Sequence, residues 1–397
     1  MLRKIFNISN FYLLLIVLMQ LQDLLYKGGE LISKAIIGLF VLVSLVLAVY
    51  VTLRYKMPRY FHVLNVLLIL FSVYGLIHVL STPTDYVYAA DNLTASYTYL
   101  LDIYLSLLPI YVFYLCTVRD EMPLPKIQFW GVILLAVSVV QFYYFFLDST
   151  DIKGVDEITN NFGYLFVGII TLLVFYQNKT IIQYAMLACC MVMVFFSMKR
   201  GAILVATCSL VPFVILLWKQ SSQIKRVFLC VLIFTFLAGV AYLIQYMLQT
   251  SEYFITRIQD TMEGNSSLRA EIYAKLWEYF KEDANLLQQF FGSGANYTVY
   301  VAQNYAHNDW LEILINQGLI GVAIYVLYWW RFWQTRNLCQ DIDELAITKG
   351  GLTMCFVASG LMTLFSMSYS NLPIGLTMTL GICLGRLTNY QAEHETT

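Results

Sequence analysis

Twelve long apolar runs determine what this chain can fold into. Each is close to the ~20 residues that an α-helix needs to cross the hydrocarbon core of a bilayer. Period-2 alternation is absent, and backbone groups in hydrocarbon must be hydrogen bonded internally, so the runs predict helices rather than strands. The predicted spans are residues 9–26, 35–53, 61–81, 98–118, 127–147, 162–178, 180–198, 201–218, 227–248, 310–333, 351–369 and 372–388.

The composition agrees with a membrane protein. Hydrophobic residues make up 59% of the 397 residues and charged residues only 12%, whereas soluble proteins carry about 25% charged residues. The net charge of −1 provides no general attraction to nucleic acid. We therefore expect an all-α integral membrane protein of about twelve transmembrane helices. The eight cysteines all lie outside the long polar stretch 250–309, which favours small core residues over a disulfide framework.

The polar stretch divides the chain into three parts. Residues 1–249 are predicted to form transmembrane helices one to nine, with the first apolar run retained as a signal anchor. Residues 250–309 form a large, partly helical loop before the tenth helix. Residues 310–397 are predicted to supply helices ten to twelve and a cytoplasmic tail. No internal repeat links these parts.

Basic residues in the short loops predict the orientation, because cytoplasmic loops are enriched in Lys and Arg. With the N terminus in the cytoplasm, the short outer loops hold five basic residues and the long outer loop holds four. Both termini are then cytoplasmic, and 250–309 is extracytoplasmic. The cytoplasmic side holds fifteen basic residues: Arg3, Lys4, Arg54, Lys56, Arg59, Arg119, Lys126, Lys179, Lys219, Lys225, Arg226, Arg331, Arg336, Lys349 and Arg386.

Lys199 and Arg200 are exceptions to this pattern. They fall between the predicted seventh and eighth helices, on the outer side, with almost no loop around them. A cation at the edge of the hydrocarbon is costly unless it is paired or functional. Two interpretations stay open: the side chains reach outer-leaflet headgroups, or they take part in a functional site.

An amphipathic helix is predicted inside the long loop. Ser267 is a suitable N-cap, and Arg269 falls in the first turn, where the helix dipole disfavours a cation. That position indicates an anionic partner, although an ordinary exposed arginine is the alternative. The apolar face consists of Leu268, Ile272, Leu276, Tyr279 and Phe280, which recur at helical spacing.

The end of the loop carries two further patterns. Gly292 and Gly294 allow a tight turn whose amides could face an anion, with a plain turn as the simpler reading. His307 is the only histidine in 250–309, and it lies beside Asn308 and Asp309 where the chain re-enters the membrane. A histidine there is suited to general-base catalysis. No second histidine or cysteine lies nearby in sequence, so we expect no metal.

Together these residues resemble the O-antigen ligase and O-antigen polymerase superfamily of bacterial envelope polysaccharide enzymes. The final block, H-N-x-x-L-E-x-x-x-x-x-G-x-x-G, is the most specific, and Lys199 stands where the family often has a serine. The first six helices match only in hydropathy. The matching residues are Ser197, Arg200 and Gly201; Ser266 and Arg269; Gly292 and Gly294; and His307, Asn308, Leu311, Glu312, Gly318 and Gly321.

The resemblance implies a multi-pass glycosyltransferase at the outer face of the bacterial inner membrane. Its donor would be a glycan on undecaprenyl diphosphate, and no metal or other cofactor is expected. A polymerase extends the glycan on the next lipid-linked repeat unit, whereas a ligase transfers it to lipid A-core. Polymerase is the first choice for this chain. The bilayer, a flippase and a chain-length regulator are the further partners that the resemblance implies.

The resemblance also suggests roles for individual residues. Arg200 and Arg269, with Lys199, would hold the diphosphate, because arginine presents a planar and permanently charged donor fork. His307 would take the proton of the acceptor hydroxyl. Asn308 and Asp309 would orient the imidazole or the acceptor. Glu312 would brace the arginines or cap the re-entering helix, and Gly318 and Gly321 would serve close helix packing.

Two other classes remain open from the sequence. A secondary transporter fits twelve helices with both termini inside, although repeated halves and a midmembrane pair of broken helices are not evident. A structural scaffold for an envelope complex would leave Arg200 and His307 without a role.

Overall fold

The computed structural model of the protein describes residues 7–26, 31–81, 95–153, 162–197, 199–220, 269–340 and 342–395, with scattered positions between 223 and 249. Within these ranges the chain is helical and contains no strand. The helices are α1 (Ile8–Tyr26), α2 (Leu31–Arg54), α3 (Arg59–Ser81), α4 (Ala95–Val118), α5 (Leu124–Lys153), α6 (Phe162–Leu172), α7 (Thr180–Phe196), α8 (Arg200–Gln220), α9 (Arg269–Glu278), α10 (Leu286–Phe291), α11 (Tyr297–Ala302), α12 (Asp309–Asn337), α13 (Ala346–Phe365) and α14 (Ile374–Glu395).

The helices confirm an all-α integral membrane protein. In the described part of the chain, seven helices are long and apolar enough to cross a membrane: α2, α3, α4, α5, α8, α12 and α13. Shorter apolar helices lie at Ile8–Gln22, Phe162–Tyr176 and Thr180–Phe196. Eleven of the predicted spans coincide with described helices. The ninth, 227–248, falls where only scattered positions are described.

Close helix packing at the centre of the bundle depends on small residues. Gly381 and Gly385 lie four residues apart on α14 and face α4. A Cβ atom on Gly381 would come within 2.6 Å of the Ile110 carbonyl oxygen, and one on Gly385 within 2.6 Å of the Thr117 Cβ. This small-xxx-small pattern lets two backbones approach closely where lipid provides no hydrophobic drive for association.

Two departures from the predicted spans have tertiary causes. The span predicted at 351–369 ends at Phe365 in α13, because the next segment turns so that the Ser368 amide donates to Asp309 (2.9 Å). Helix α12 is continuous in the prediction but is kinked at Gly318, where φ is 70° and ψ is −168°. The backbone carbonyls of Ile315 and Asn316 accept hydrogen bonds from the loop there.

The predicted amphipathic helix of the loop is present as α9 and a following π turn, Tyr279–Asp283. Ile272, Leu276 and Tyr279 are buried, and Phe280 packs beside them, so the predicted apolar face is confirmed. The proposed N-cap Ser267, together with Ser266 and Leu268, lies outside the described residues. Helices α10 and α11 then lead to the segment that precedes α12.

Candidate active site

The turn between α11 and α12 fixes the direction of His307. Its φ is +52°, a left-handed conformation that few non-glycine residues adopt. The next residue, Asn308, is the N-cap of α12, and its side-chain oxygen accepts from the amides of Trp310 (3.0 Å) and Leu311 (3.2 Å). This cap holds the chain at the helix entry. Asn308 therefore fixes the backbone directly after His307.

Glu312 secures the same turn from inside α12. Its carboxylate is fully buried and accepts from the Ala306 amide at 2.6 Å and the Thr298 hydroxyl at 2.6 Å. Asn316, one helical turn further on, donates to the same carboxylate at 3.2 Å and accepts from the Thr298 amide at 3.3 Å. The sequence suggested an arginine brace or a helix cap for Glu312. The observed donors instead come from the loop and from Asn316, so Glu312 holds the loop against α12.

Asp309 joins α12 to the segment after α13. One carboxylate oxygen accepts from the Ser368 amide (2.9 Å), and the other accepts from the hydroxyls of Tyr325 (2.6 Å) and Ser368. The side chain is fully buried. A carboxylate so engaged fixes the position of the helix entry relative to α13.

Arg269 is a cation in the first turn of α9, and its positive charge is compensated by the C-terminal end of α13. Its guanidinium donates to the Phe365 carbonyl at 3.3 Å, and Phe365 is the last residue of α13. Carbonyls at a helix C-terminus carry a partial negative charge that favours a cation. The Tyr164 hydroxyl donates to the same carbonyl at 3.4 Å. This contact explains how the chain tolerates an arginine that its own helix dipole disfavours.

Lys199 and Arg200 join α7 to α8. Lys199 is half-buried, and Arg200, the first residue of α8, has an exposed side chain. Directly after them, Gly201 lies so close to α6 that a Cβ atom would come within 2.3 Å of the Tyr164 hydroxyl oxygen and 3.1 Å of the Phe365 Cβ. Because Gly201 has no side chain, the start of α8 can approach Tyr164 and Phe365, and the Phe365 carbonyl accepts from Arg269.

His307 lies in the field of two of these cations. Burial, together with the positive charges of Arg269 and Lys199, lowers the pKa of His307 to about 4, and burial is the largest of these causes. A histidine with that pKa is neutral at pH 7 and retains a free lone pair for a proton. Arg269, Lys199 and His307, which are far apart in sequence, therefore form one electrostatic cluster. Within the described residues, no cluster of three His, Cys, Asp or Glu side chains is arranged to hold a metal ion.

The glycine pair of the loop forms a turn and not an anion nest. The amides of Gly292, Ser293 and Gly294 donate to the carbonyls of Gln288 (2.7 Å), Ile315 (2.9 Å) and Asn316 (3.1 Å). Gly292 and Gly318 lie against one another, and a Cβ atom on Gly318 would come within 2.5 Å of the Gly292 nitrogen. The plain-turn reading is thus confirmed. The sequence predicted that Gly318 allows close packing between helices. Close packing is confirmed, but Gly318 packs against the Gly292 turn of the loop instead of another helix.

Sequence reasoning did not identify Tyr164, Thr298, Asn316, Ser368 or the Phe365 carbonyl as parts of the site. Asn316 carried a usable signal, because it lies four residues after Glu312 on the same helical face. The pairing of Asp309 with Ser368 spans 59 residues and leaves no local pattern.

A comparison with protein-family profiles gives a match. Residues 185–326 match the family profile described as O-antigen ligase. The matched segment begins in α7, passes through Lys199, Arg200, Arg269 and the His307 turn, and ends within α12. A comparison with curated proteins finds no match.

Proposed function

We propose that this chain, whose residues 185–326 match the O-antigen ligase family profile, polymerises lipid-linked oligosaccharide repeat units. The donor is a glycan on undecaprenyl diphosphate, and the product is O-antigen or capsular polysaccharide at the outer face of the inner membrane. The observation that carries the proposal is that His307 is half-buried near Arg269 and Lys199. Burial and the positive charges of these two residues lower the pKa of His307 and keep its ring neutral. That arrangement suits a base beside an anionic leaving group.

The reaction is a nucleophilic substitution at the anomeric carbon of the donor. A hydroxyl oxygen of the acceptor sugar forms the new glycosidic bond, and the bond between the anomeric carbon and the diphosphate oxygen breaks. His307 takes the hydroxyl proton, and undecaprenyl diphosphate leaves with the bonding electron pair. Attack from the side opposite the diphosphate inverts the anomeric centre.

The cations hold the diphosphate, and the bound diphosphate raises the pKa of His307. Arg269, Lys199 and Arg200 bind the leaving group, whose charge rises as the bond breaks. In the free protein the pKa of His307 is about 4, which makes it a weak base. A bound diphosphate offsets the charges of Arg269 and Lys199 and raises the pKa of His307, because a nearby anion favours the protonated imidazole. His307 therefore becomes an effective base when the donor is in place.

Three neighbouring residues act through position. Asn308 caps α12 directly after His307, Asp309 fixes the helix entry to Ser368, and Glu312 holds the Ala306 amide directly before His307. These contacts keep the imidazole within reach of a hydroxyl in the reactive complex. Such preorganisation matters because a small misplacement of a catalytic group lowers the rate strongly.

A ligase is the second candidate, favoured by the description of the matching family. The same cluster would serve it, since the donor and the leaving group are the same and only the acceptor differs. In that case the hydroxyl belongs to lipid A-core. Of the further partners that we propose, a flippase would deliver the donor in either case, whereas a chain-length regulator is relevant to the polymerase only.

Purified protein in proteoliposomes tests these alternatives. The vesicles receive undecaprenyl-diphosphate-linked repeat units with a fluorescent glycan, and the products are sized. A ladder of multiples on the lipid supports a polymerase. Glycan transfer that occurs only after lipid A-core is added supports a ligase. Movement of the label across the vesicle membrane without covalent change would contradict both and would indicate a transporter.

A further inference from the structure

Helix α10 presents four large apolar side chains outward. Leu286 and Leu287 are 73% and 71% exposed, and Phe290 and Phe291 are 50% and 53% exposed. The helix has only six residues, so two-thirds of its side chains are large hydrophobic groups that are at least half exposed. Exposure of such a continuous patch to water is unfavourable and marks an interaction surface.

The start of α10 is capped locally, and its C-terminal end is attached to two membrane-spanning helices. Asn285 and Gln288 form a capping box at the start of the helix. At the other end, Gly292 contacts Gly318 in the kink of α12, where no side chain would fit. The Tyr74 hydroxyl of α3 also donates to the Phe291 carbonyl. Helix α10 is thus fixed at the height of Tyr74 and Gly318.

That height lies within the bilayer. Basic residues mark the ends of the two spans, with Arg59 opening α3 and Arg331 near the end of α12. Tyr74 is fifteen residues from Arg59, about 22 Å along the helix, and Gly318 is thirteen residues from Arg331, about 20 Å. The hydrocarbon core is about 30 Å thick. With Arg59 and Arg331 taken as one boundary of a ~30 Å hydrocarbon core, both helices give α10 a position about 8–10 Å inside the opposite boundary.

The surface around α10 is apolar as well. On α3, Ile77 lies one turn beyond Tyr74 and is 58% exposed. On α12, Leu319 and Ile320 follow Gly318 directly and are 43% and 38% exposed. These residues belong to membrane-spanning helices, so their exposed side chains face lipid. The apolar face of α10 continues this lipid-facing surface.

We infer that α10 is inserted in the hydrocarbon of the leaflet opposite Arg59 and Arg331, where the acyl chains of the bilayer cover its apolar face. The charged residues Lys281, Glu282 and Asp283 are exposed directly before it, which fits a chain that enters the membrane between Asp283 and Leu286. Inserted in this way, α10 anchors the loop and sets the height of α11 and of the His307 turn. This inference does not depend on the reaction that the site performs.

Depth-dependent fluorescence quenching tests the insertion. Single cysteines replace Leu287 or Phe290 in the full chain lacking native cysteines, are labelled with the NBD fluorophore, and are reconstituted in phosphatidylcholine–phosphatidylglycerol vesicles. Ile77→Cys is the matched lipid-facing control, and Glu282→Cys is the matched aqueous control. Gel filtration of each variant confirms that it is folded, and the two α10 positions give independent readings.

We expect both α10 labels to behave like Ile77→Cys, with blue-shifted emission and strong quenching by doxyl groups on the lipid acyl chains. The Glu282→Cys label should be quenched by aqueous iodide instead. Quenching of the α10 labels by iodide would overturn the inference, because α10 would then lie in water. Protection from both quenchers would also overturn it, since protein would then cover the face.

Discussion

The carboxylate of Glu312 accepts a 2.6 Å hydrogen bond from the backbone amide of Ala306, the residue directly before His307. The same carboxylate accepts from the Thr298 hydroxyl at 2.6 Å, so one buried side chain binds two parts of the loop, Thr298 in α11 and Ala306 beside His307. We therefore propose that Glu312 is a positioning residue, which acts on the reaction through the backbone that carries His307.

We expect Glu312→Ala to lower kcat at least tenfold and to change donor binding less, because the imidazole loses its fixed position while the cations remain. Each buried donor left unpaired should cost about 1–3 kcal/mol of stability. Thr298→Val is the matched control, since it removes one of the hydrogen bonds and leaves Ala306 attached to Glu312. Equal effects of the two variants on kcat would contradict the positioning role.

The charges around His307 make a prediction about its pKa. Arg269→Gln and Lys199→Gln should each raise the pKa of His307 from about 4 towards 6.5, because each cation disfavours the protonated ring. NMR titration of histidine-labelled protein measures this shift, with the His307→Gln spectrum for assignment. Arg200→Gln is the comparison, and we expect a smaller change because solvent screens its exposed side chain. No upward shift for Arg269→Gln and Lys199→Gln would contradict the cluster.

The contact between Gly201 and Tyr164 can be tested by rescue. Gly201→Ala should reduce activity, because the new methyl group would come within 2.3 Å of the Tyr164 oxygen and displace it from the Phe365 carbonyl. Adding Tyr164→Phe should restore part of the activity, since the next ring atom lies 3.5 Å away, an ordinary contact. The measurement is turnover of the two single variants and the double variant. A double variant no more active than Gly201→Ala would show that Tyr164 is not the obstacle.

The proposed orientation places 250–309 outside the cytoplasm and both termini inside. In a background without native cysteines, Glu282→Cys should react with a membrane-impermeant maleimide added to spheroplasts. Glu344→Cys, which is exposed before α13, should react only after the membrane is opened. The reverse result would invert the topology.

Much of the fold could be predicted from the sequence, because hydrocarbon solvent imposes a length and a composition on every span. The predicted boundaries fall within four residues of those of α1 to α4, α7 and α8, whereas α5 ends six residues later and α6 six residues earlier than predicted. The loop helix shows the expected buried face. Two departures have tertiary causes. Helix α13 stops at Phe365 because Asp309 binds the Ser368 amide, and α12 kinks at Gly318 because the 292–294 turn takes up its carbonyls.

The site was predictable only in part. His307, Arg269 and Lys199 have chemistry that is visible in the sequence. The contacts around them involve the Phe365 carbonyl, which accepts from Arg269, and the close approach that Gly201 allows. They also involve the Glu312 carboxylate, which accepts from the Ala306 amide. Backbone groups are identical at every residue, and their pairing depends on how helices pack, so no sequence pattern reveals these contacts.

Turnover of His307→Gln tests the central claim most directly. Purified protein is supplied with lipid-linked repeat units, and donor binding is measured alongside; His394→Gln, in the C-terminal part of α14, is the matched control. General-base catalysis contributes about 10²–10⁴-fold, so His307→Gln should lose that much turnover while it still binds donor and His394→Gln stays active. Turnover of His307→Gln within a few fold of the unmodified protein would contradict the account and remove His307 from the reaction.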